Sequence, residues 1–291
     1  MARRFSSSQL RSKIRQIEAR RKKAISDYNR AIRSYNRKVK RAVDDYNRDV
    51  RAHNARVRAN RRRLQSELAR LNRGGYSSSF RSSSRVLYRS FTRVETRFGA
   101  GAATDREVNF LDFSERETAN SLAAVNALAG GTTEDGDPGT RGLDETEISD
   151  ELVLISPDLD RRWRGALYSL DPRNPDAARH FCTSSREIFV RFLEHHAPDH
   201  EVVDVFPSCD RTQDGRPTRR SRIKLLLARQ GLNGPEPEEF ATRDIDNILE
   251  LFQVFNDGTH GSAGRLSLAQ LKVVKRRVED GILFLASLVI E

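Results

Sequence analysis

The chain has 291 residues with 52 Lys/Arg against 41 Asp/Glu, a formal net charge of +11 at pH 7, and a length that allows one well-buried domain plus extensions. Two cysteines, Cys182 and Cys209, are too few for a disulfide framework or a four-ligand zinc site and make a reducing, cytoplasmic setting the simpler reading. The longest apolar run, residues 282–290, is about half of a bilayer span, and no apolar segment follows the basic start, so neither a membrane partner nor a secretory signal is expected.

Residues 1–73 hold 24 Lys/Arg and 6 Asp/Glu, which leaves 28 against 35 for the remainder. All the basic excess is therefore at the front, the pattern of an arm that meets an acidic partner. Residues 8–71 contain no proline or glycine, and their apolar residues recur at steps of three and four, which predicts one long helix. Ile25, Tyr28, Ile32, Tyr35, Val39 and Ala42 fit one heptad frame; Val43, Tyr46, Val50, His53, Val57, Asn60, Leu64 and Leu71 fit another, displaced by four residues. The displacement is a stutter that locally unwinds a left-handed supercoil. The seam is wet, because Tyr-Asn or His-Asn recurs at 28, 35, 46 and 53, and polar seam positions fix register and oligomer state at a cost in stability. A homo-oligomer through a basic coiled coil over 1–73 is expected. Its arginines, Arg61, Arg62 and Arg63 among them, are either a solvated flank or a surface that tracks phosphates without reading bases.

Gly74-Gly75 ends this helix, and residues 77–84 read as a serine-rich joint. Beyond it Arg81, Arg85, Arg89, Arg93 and Arg97 stand four apart, which lays them along one helical stripe that is either a second contact with a nucleic-acid backbone or the solvent-facing side of a short helix. Ser114 followed by Glu115 and Glu117 has the pattern of a capped helix start. Residues 74–129 are thus a joint with short helices, and the acidic, aperiodic stretch 130–150 is a linker. Residues 151–291 carry about five helical patterns, at 161–170, 175–195, 217–229, 238–255 and 267–289, with almost no alternating strand pattern. The expected fold is all-α: a long N-terminal coiled-coil helix followed by a C-terminal helical bundle.

Two polar clusters stand out. Residues 182–187, Cys-Thr-Ser-Ser-Arg-Glu, interrupt an amphipathic helix; small residues there either let another helix approach closely or leave room for a ligand beside Arg186 and Glu187. Residues 256–261, Asn-Asp-Gly-Thr-His-Gly, form a tight polar loop before the last helix. Such a loop is either a capped turn or an anion site at a helix N-terminus. The grouped His195, His196 and His200 read as surface histidines near a helix end, and Trp163 as core.

The run Asp171-Pro172-Arg173-Asn174-Pro175-Asp176-Ala177-Ala178-Arg179, the cluster Thr183 to Glu187, the 256–261 loop and the closing amphipathic helix together resemble the predicted PIWI-associating nuclease domain of bacterial conflict systems, over roughly residues 150–291. The resemblance implies a role in bacterial defence and a nuclease activity. The final loop and helix are also similar to the end of a HEPN-type ribonuclease bundle, in which an arginine precedes an asparagine and a histidine. Asn256 and His260 fit that arrangement, while Phe255 stands where the arginine is expected. On this resemblance His260 is the acid or base, Arg186 stabilises the transition state and Asn256 orients the phosphate in a metal-independent 2′-hydroxyl attack. No cofactor is then required, although Asp257 and Glu187 offer hard oxygen ligands that suit magnesium. The alternative is a coiled-coil scaffold or sensor that binds nucleic acid, or recruits a partner, without cutting.

Overall fold

The computed structural model describes residues 6–71, 78–99, 103–130, 143, 146, 148–171, 173, 174, 176–257 and 268–289. Their regular structure is helical throughout, as the periodicity predicts: α1 (Ser7–Leu71), α2 (Ser78–Gly99), α3 (Asp105–Gly130), α4 (Ser149–Ile155), α5 (Pro157–Ser169), α6 (Ala177–His196), α7 (Asp199–Val205), α8 (Arg219–Arg229), α9 (Pro235–Asp257) and α10 (Leu268–Ser287). The five helices read in the C-terminal half are α5, α6, α8, α9 and α10; the short α4 and α7 add to them. No described helix is long and apolar enough to cross a membrane.

The chain divides into two compact units, residues 1–58 and 59–291. In the first, the seam residues Ile25, Tyr28, Ile32, Tyr35, Val39 and Tyr46 are all exposed. The second unit begins inside α1, not at residue 74, because the last turns of that helix have something to pack on: Leu64 and Leu71 are buried in the common core. Residues 74–129 and 151–291 likewise share one core. Phe110 of α3 stacks edge-on against Phe98 of α2 and Phe240 of α9, with Phe284 of α10 tilted beside it, all within 6.3 Å between ring centroids. Such contacts favour assembly beyond the area they bury. The acidic stretch 130–150 connects parts of one unit, and its Leu143 and Ile148 are buried.

Helix starts explain two departures from the sequence reading. A reciprocal capping pair, Thr104 N–H to Glu107 Oε2 at 2.9 Å and Glu107 N–H to Thr104 Oγ1 at 3.3 Å, opens α3, because it satisfies two free donors at once. Ser114 is therefore not a cap; it is buried in mid-helix and donates to the Phe110 carbonyl at 2.7 Å. The serine-rich residues are likewise not only a joint, since α2 starts at Ser78. Ser84 is fully buried, 2.9 Å from Ser121 Oγ on α3 and accepting from Asn247 Nδ2 on α9 at 2.9 Å. Small hydroxyls let three helices close in while satisfying one another. Elsewhere Ser156 caps α5 and Thr218 caps α8, and just beyond the end of α8 Gly231 takes a φ of 71°, which allows the Leu232 N–H to bond the Leu227 carbonyl.

Gly281 marks where α10 comes nearest to its neighbours. A Cβ there would lie 2.3 Å from Ile248 Cδ1 and 3.3 Å from Phe189 Cζ, and both side chains are buried. Gly281→Ala should therefore lose about 1–3 kcal/mol to overpacking despite the gain of roughly 1 kcal/mol in helix propensity. Removing the offending methyl with Ile248→Val should restore part of that loss, read as non-additivity in a urea-denaturation double-mutant cycle.

Candidate functional site

The basic residues singled out in the sequence fall into different environments. Arg61 is committed to structure: its Nη2 lies 2.5 Å from Glu95 and its Nε donates to Glu115 at 2.7 Å, tying the end of α1 to α2 and α3. Arg62, Arg85 and Arg89 are exposed. Arg93 donates to Glu239 at 2.5 Å, and the next member of its stripe, Arg97, to Glu236 at 2.5 Å, so the first turn of α9 neutralises that end of the stripe. The buried Nε of Arg81 has no hydrogen-bond partner among the described residues.

Of the residues expected to act together, Arg186 and Glu187 are described with their side chains, and they meet different surroundings. Glu187 is exposed and accepts from Arg162 of α5 at 3.0 Å. Arg186, one step round α6, instead lines a cavity of about 250 Å³ with Arg216, Arg219 and Arg222. Asn256 and Asp257 sit in the last turn of α9, but their side chains, like His260, lie outside the described residues. Cys182 and Ser185 face inward and are buried, which favours the close-packing reading of that cluster; burial pushes the Cys182 thiol up to about 12, where it is no nucleophile at neutral pH. Burial, helped by His195 and Arg229, pulls His196 down to about 4. Trp163 is core, its Nε1 donating to Thr146 Oγ1 at 2.8 Å. Among the described residues no three His, Cys, Asp or Glu side chains are grouped as a metal site requires.

A set of charges missed in the sequence lies deeper. Arg277 of α10 is 1% exposed; its Nη1 donates to Glu117 of α3 at 2.9 Å and its Nη2 to Asp244 of α9. Glu117 and Asp244 are both fully buried, and Asp244 Oδ2 and Arg277 Nε have no partner in the described structure. One guanidinium cannot neutralise two buried carboxylates, so desolvation dominates and holds Glu117 up at about 8, with Asp244 also raised. One turn along α10, Asp280 opens onto a cavity of about 160 Å³ with Arg63, Asn120, Arg276 and Arg277. Burial raises its carboxyl too, against the pull of Arg277, Arg276, Arg116 and Arg63. A carboxyl of perturbed acidity in a cavity with several guanidiniums is the combination that acid–base chemistry on a phosphate needs.

The comparison with known families bears on the same helices. Residues 152–285 match the family described as predicted pPIWI-associating nuclease. The match covers the stretch expected from the sequence and includes Arg186, Asp244, Arg277 and Asp280. Glu117, Asn120 and Arg63 lie outside it, so α3 and the end of α1 complete polar surroundings that the nuclease-like stretch holds only in part. No curated protein and no solved structure matches the chain.

The raised carboxyls set a pH dependence. Unfolded, Glu117 ionises near its ordinary ~4.3; folded, it keeps its proton up to about 8. Across that window the folded state binds a proton the unfolded state has released, so stability falls as pH rises and levels off above it. Asp244 and Asp280 are raised as well and act with the same sign. The urea midpoint should thus be higher near about pH 5 than near about pH 8.5, and Glu117→Gln should flatten the upper part of the profile.

Proposed function

We propose that this chain processes nucleic acid by phosphodiester cleavage in its helical unit, in the defence setting that the nuclease resemblance implies, with the basic helix as substrate arm and oligomerisation device. The observation that carries the proposal is the Asp280 cavity at the end of a stretch that matches a predicted nuclease family. Asp280 is suited to exchange a proton with the attacking or departing oxygen, because burial keeps its carboxyl from being fully ionised as readily as an exposed aspartate. Arg63 and Arg276 are suited to offset the negative charge that develops on the phosphoryl oxygens. Arg186 with Asn256 and His260 is the second candidate centre, and RNA and DNA are both open as substrates.

The arm supports the same reading. Residues 1–58 hold 19 Lys/Arg against 5 Asp/Glu, and the ion pairs described among them, Arg48 with Asp45 and with Asp49, are highly exposed. Basic side chains in that state remain available to phosphates, and binding should be independent of base sequence. The exposed heptad seam of α1 suits pairing with a second copy of the chain, whose polar positions would select register. The scaffold reading uses this same arm and seam without the chemistry.

Cleavage of labelled single-stranded RNA and DNA, with and without magnesium, tests the proposal. Asp280→Asn should lower the rate about 10²–10⁴-fold, and Arg63→Ala by roughly 10²-fold. Loss confined to Arg186→Ala and His260→Ala would move the centre to the second set. No cleavage by the wild-type chain, with binding retained, would leave the scaffold. In parallel, replacing Arg33, Arg37 and Arg41 by Gln should weaken strand binding uniformly and reduce the slope of log affinity against log salt by about 0.7 for each phosphate no longer neutralised.

A further inference from the structure

The cavity beside Arg186 shares no lining residue with the Asp280 cavity, and its chemistry is different. Its apolar lining is Phe189, Val190 and Leu193 of α6 with Pro217 and Leu249. Its polar lining is the four arginines Arg186, Arg216, Arg219 and Arg222 and two carboxylates, Glu194 and Asp214. A surface half apolar and half cationic recognises a flat hydrophobic group joined to an anion.

The four cations are not equivalent. Arg222 is buried and spends its donors on the Ala197 carbonyl and Asp199; Arg219 donates to Asp246 at 2.5 Å. These two are neutralised by their acids and leave the ligand to the others. Arg216 only approaches Glu194, at 3.9 Å, and that carboxylate is held by Arg191 at 2.9 Å. Arg186 is exposed and has no hydrogen-bond or ion-pair partner among the described residues. Two guanidiniums with donors to spare thus remain, and guanidinium forks match phosphate oxygens bidentately.

The backbone holds Arg216 in place. Thr212 N–H bonds the Arg216 carbonyl at 2.8 Å and Gly215 N–H bonds the Thr212 carbonyl at 2.9 Å. Gly215 takes a φ of 77°, and Arg211 and Pro217 form a bridge across the turn. A side chain carried on so closed a turn loses less freedom on binding than one on an open loop. The volume of about 250 Å³ lies below the ~300–1,000 Å³ of sites for drug-sized ligands, so the space is too small for a longer piece of strand and a nucleotide would lie partly outside it.

We infer that this cavity binds a nucleoside phosphate, with the base against the Phe189, Val190 and Leu193 side chains and the phosphate on Arg186 and Arg216. The ligand is either a free nucleotide or the phosphorylated terminal nucleotide of a strand. Binding here does not depend on cleavage and would equally serve a scaffold that senses nucleotides.

The test is equilibrium titration of the full chain with AMP, UMP, ribose 5-phosphate and inorganic phosphate, and with one short oligonucleotide with and without a 5′-phosphate. AMP or UMP should bind, and ribose 5-phosphate should bind more weakly by about tenfold or more for want of a base to stack. Arg186→Gln should weaken the mononucleotide by about tenfold or more, and Val190→Glu, a substitution at an exposed cavity position, should abolish binding. Arg161→Gln on α5 should change nothing, and unchanged thermal midpoints in all three variants would exclude unfolding as the cause. Tighter binding of the oligonucleotide with a 5′-phosphate than without one, a difference that Arg186→Gln removes, would identify a strand end as the ligand; no such difference, with AMP binding retained, would identify the free nucleotide. Equal affinity for inorganic phosphate and AMP, no binding by the wild-type chain, or binding indifferent to both Arg186→Gln and Val190→Glu would overturn the inference, whatever the outcome of the cleavage assay.

Discussion

One guanidinium joins the three helices on which the second unit is built. Arg277 of α10 reaches Glu117 on α3 and Asp244 on α9, and all three side chains are removed from water. The arrangement is costly in isolation, since desolvating ions usually consumes what their attraction returns. Its effect is directional: an apolar replacement would fill the space but would not dictate which turn of α3 faces which turn of α9. Leaving one partner behind is worse still, at about 3–5 kcal/mol for an uncompensated buried charge. The positions of α3, α9 and α10 are therefore fixed together, and the Asp280 cavity inherits its shape from that fixation.

The same three-way logic repeats in neutral form. Asn247, on the next turn of α9 after Asp244, receives a hydrogen bond from Ser121 of α3 at 2.5 Å and gives bonds to Ser83 and Ser84 of α2. α9 thus carries two polar joints side by side, one ionic and one of amide and hydroxyls, with the Phe110–Phe240–Phe284 cluster packed nearby in the same core. The stretch that matches the predicted nuclease family begins at residue 152, after α2 and α3 have ended. It supplies Asn247, Asp244 and Arg277 but none of their partners on the earlier helices. In this chain the matched stretch does not satisfy its own buried polar groups, and the helices before it are part of the folding unit.

The sequence made the helices legible and hid what joins them. Long runs without proline or glycine and apolar spacing of three and four sufficed for α1, α6, α9 and α10, because that periodicity is a property of a single element. The true start of α3 was missed because Ser114 with two following glutamates has the same composition as a cap; only the partners of Glu115 and Glu117, on α1 and α10, distinguish them. Asp244 and Arg277 did leave a signal: each falls on the apolar stripe of its helix, beside Phe240 and Ile248 or Val274 and Phe284, where a charge is out of place unless another charge meets it. Which charge meets it is a tertiary fact that no spacing encodes. Serine likewise signals a joint by composition and close helix packing by context.

Charge count and charge availability diverge for the same reason. Arg61, Arg93 and Arg97 belong to the basic patterns of the sequence yet are consumed by carboxylates of other helices, while Arg62, Arg85 and Arg89 stay exposed. An arginine tied to an acid on a neighbouring helix would have to give up that pair to meet a phosphate, so it adds little to the affinity that counterion release provides. The cations that matter for a ligand are those the fold leaves unspent, and among the described residues they include those along α1, Arg63 and Arg276 beside an acid of raised pKa, and Arg186 and Arg216 beside apolar side chains. The first can hold a strand anywhere along it. The second has the acid that proton transfer needs, and the third has the surface a base needs. On the proposed function, gripping a strand falls to the first, proton transfer to the second and base recognition to the third, and the two cavities share no lining residue, so each can be altered without rebuilding the other.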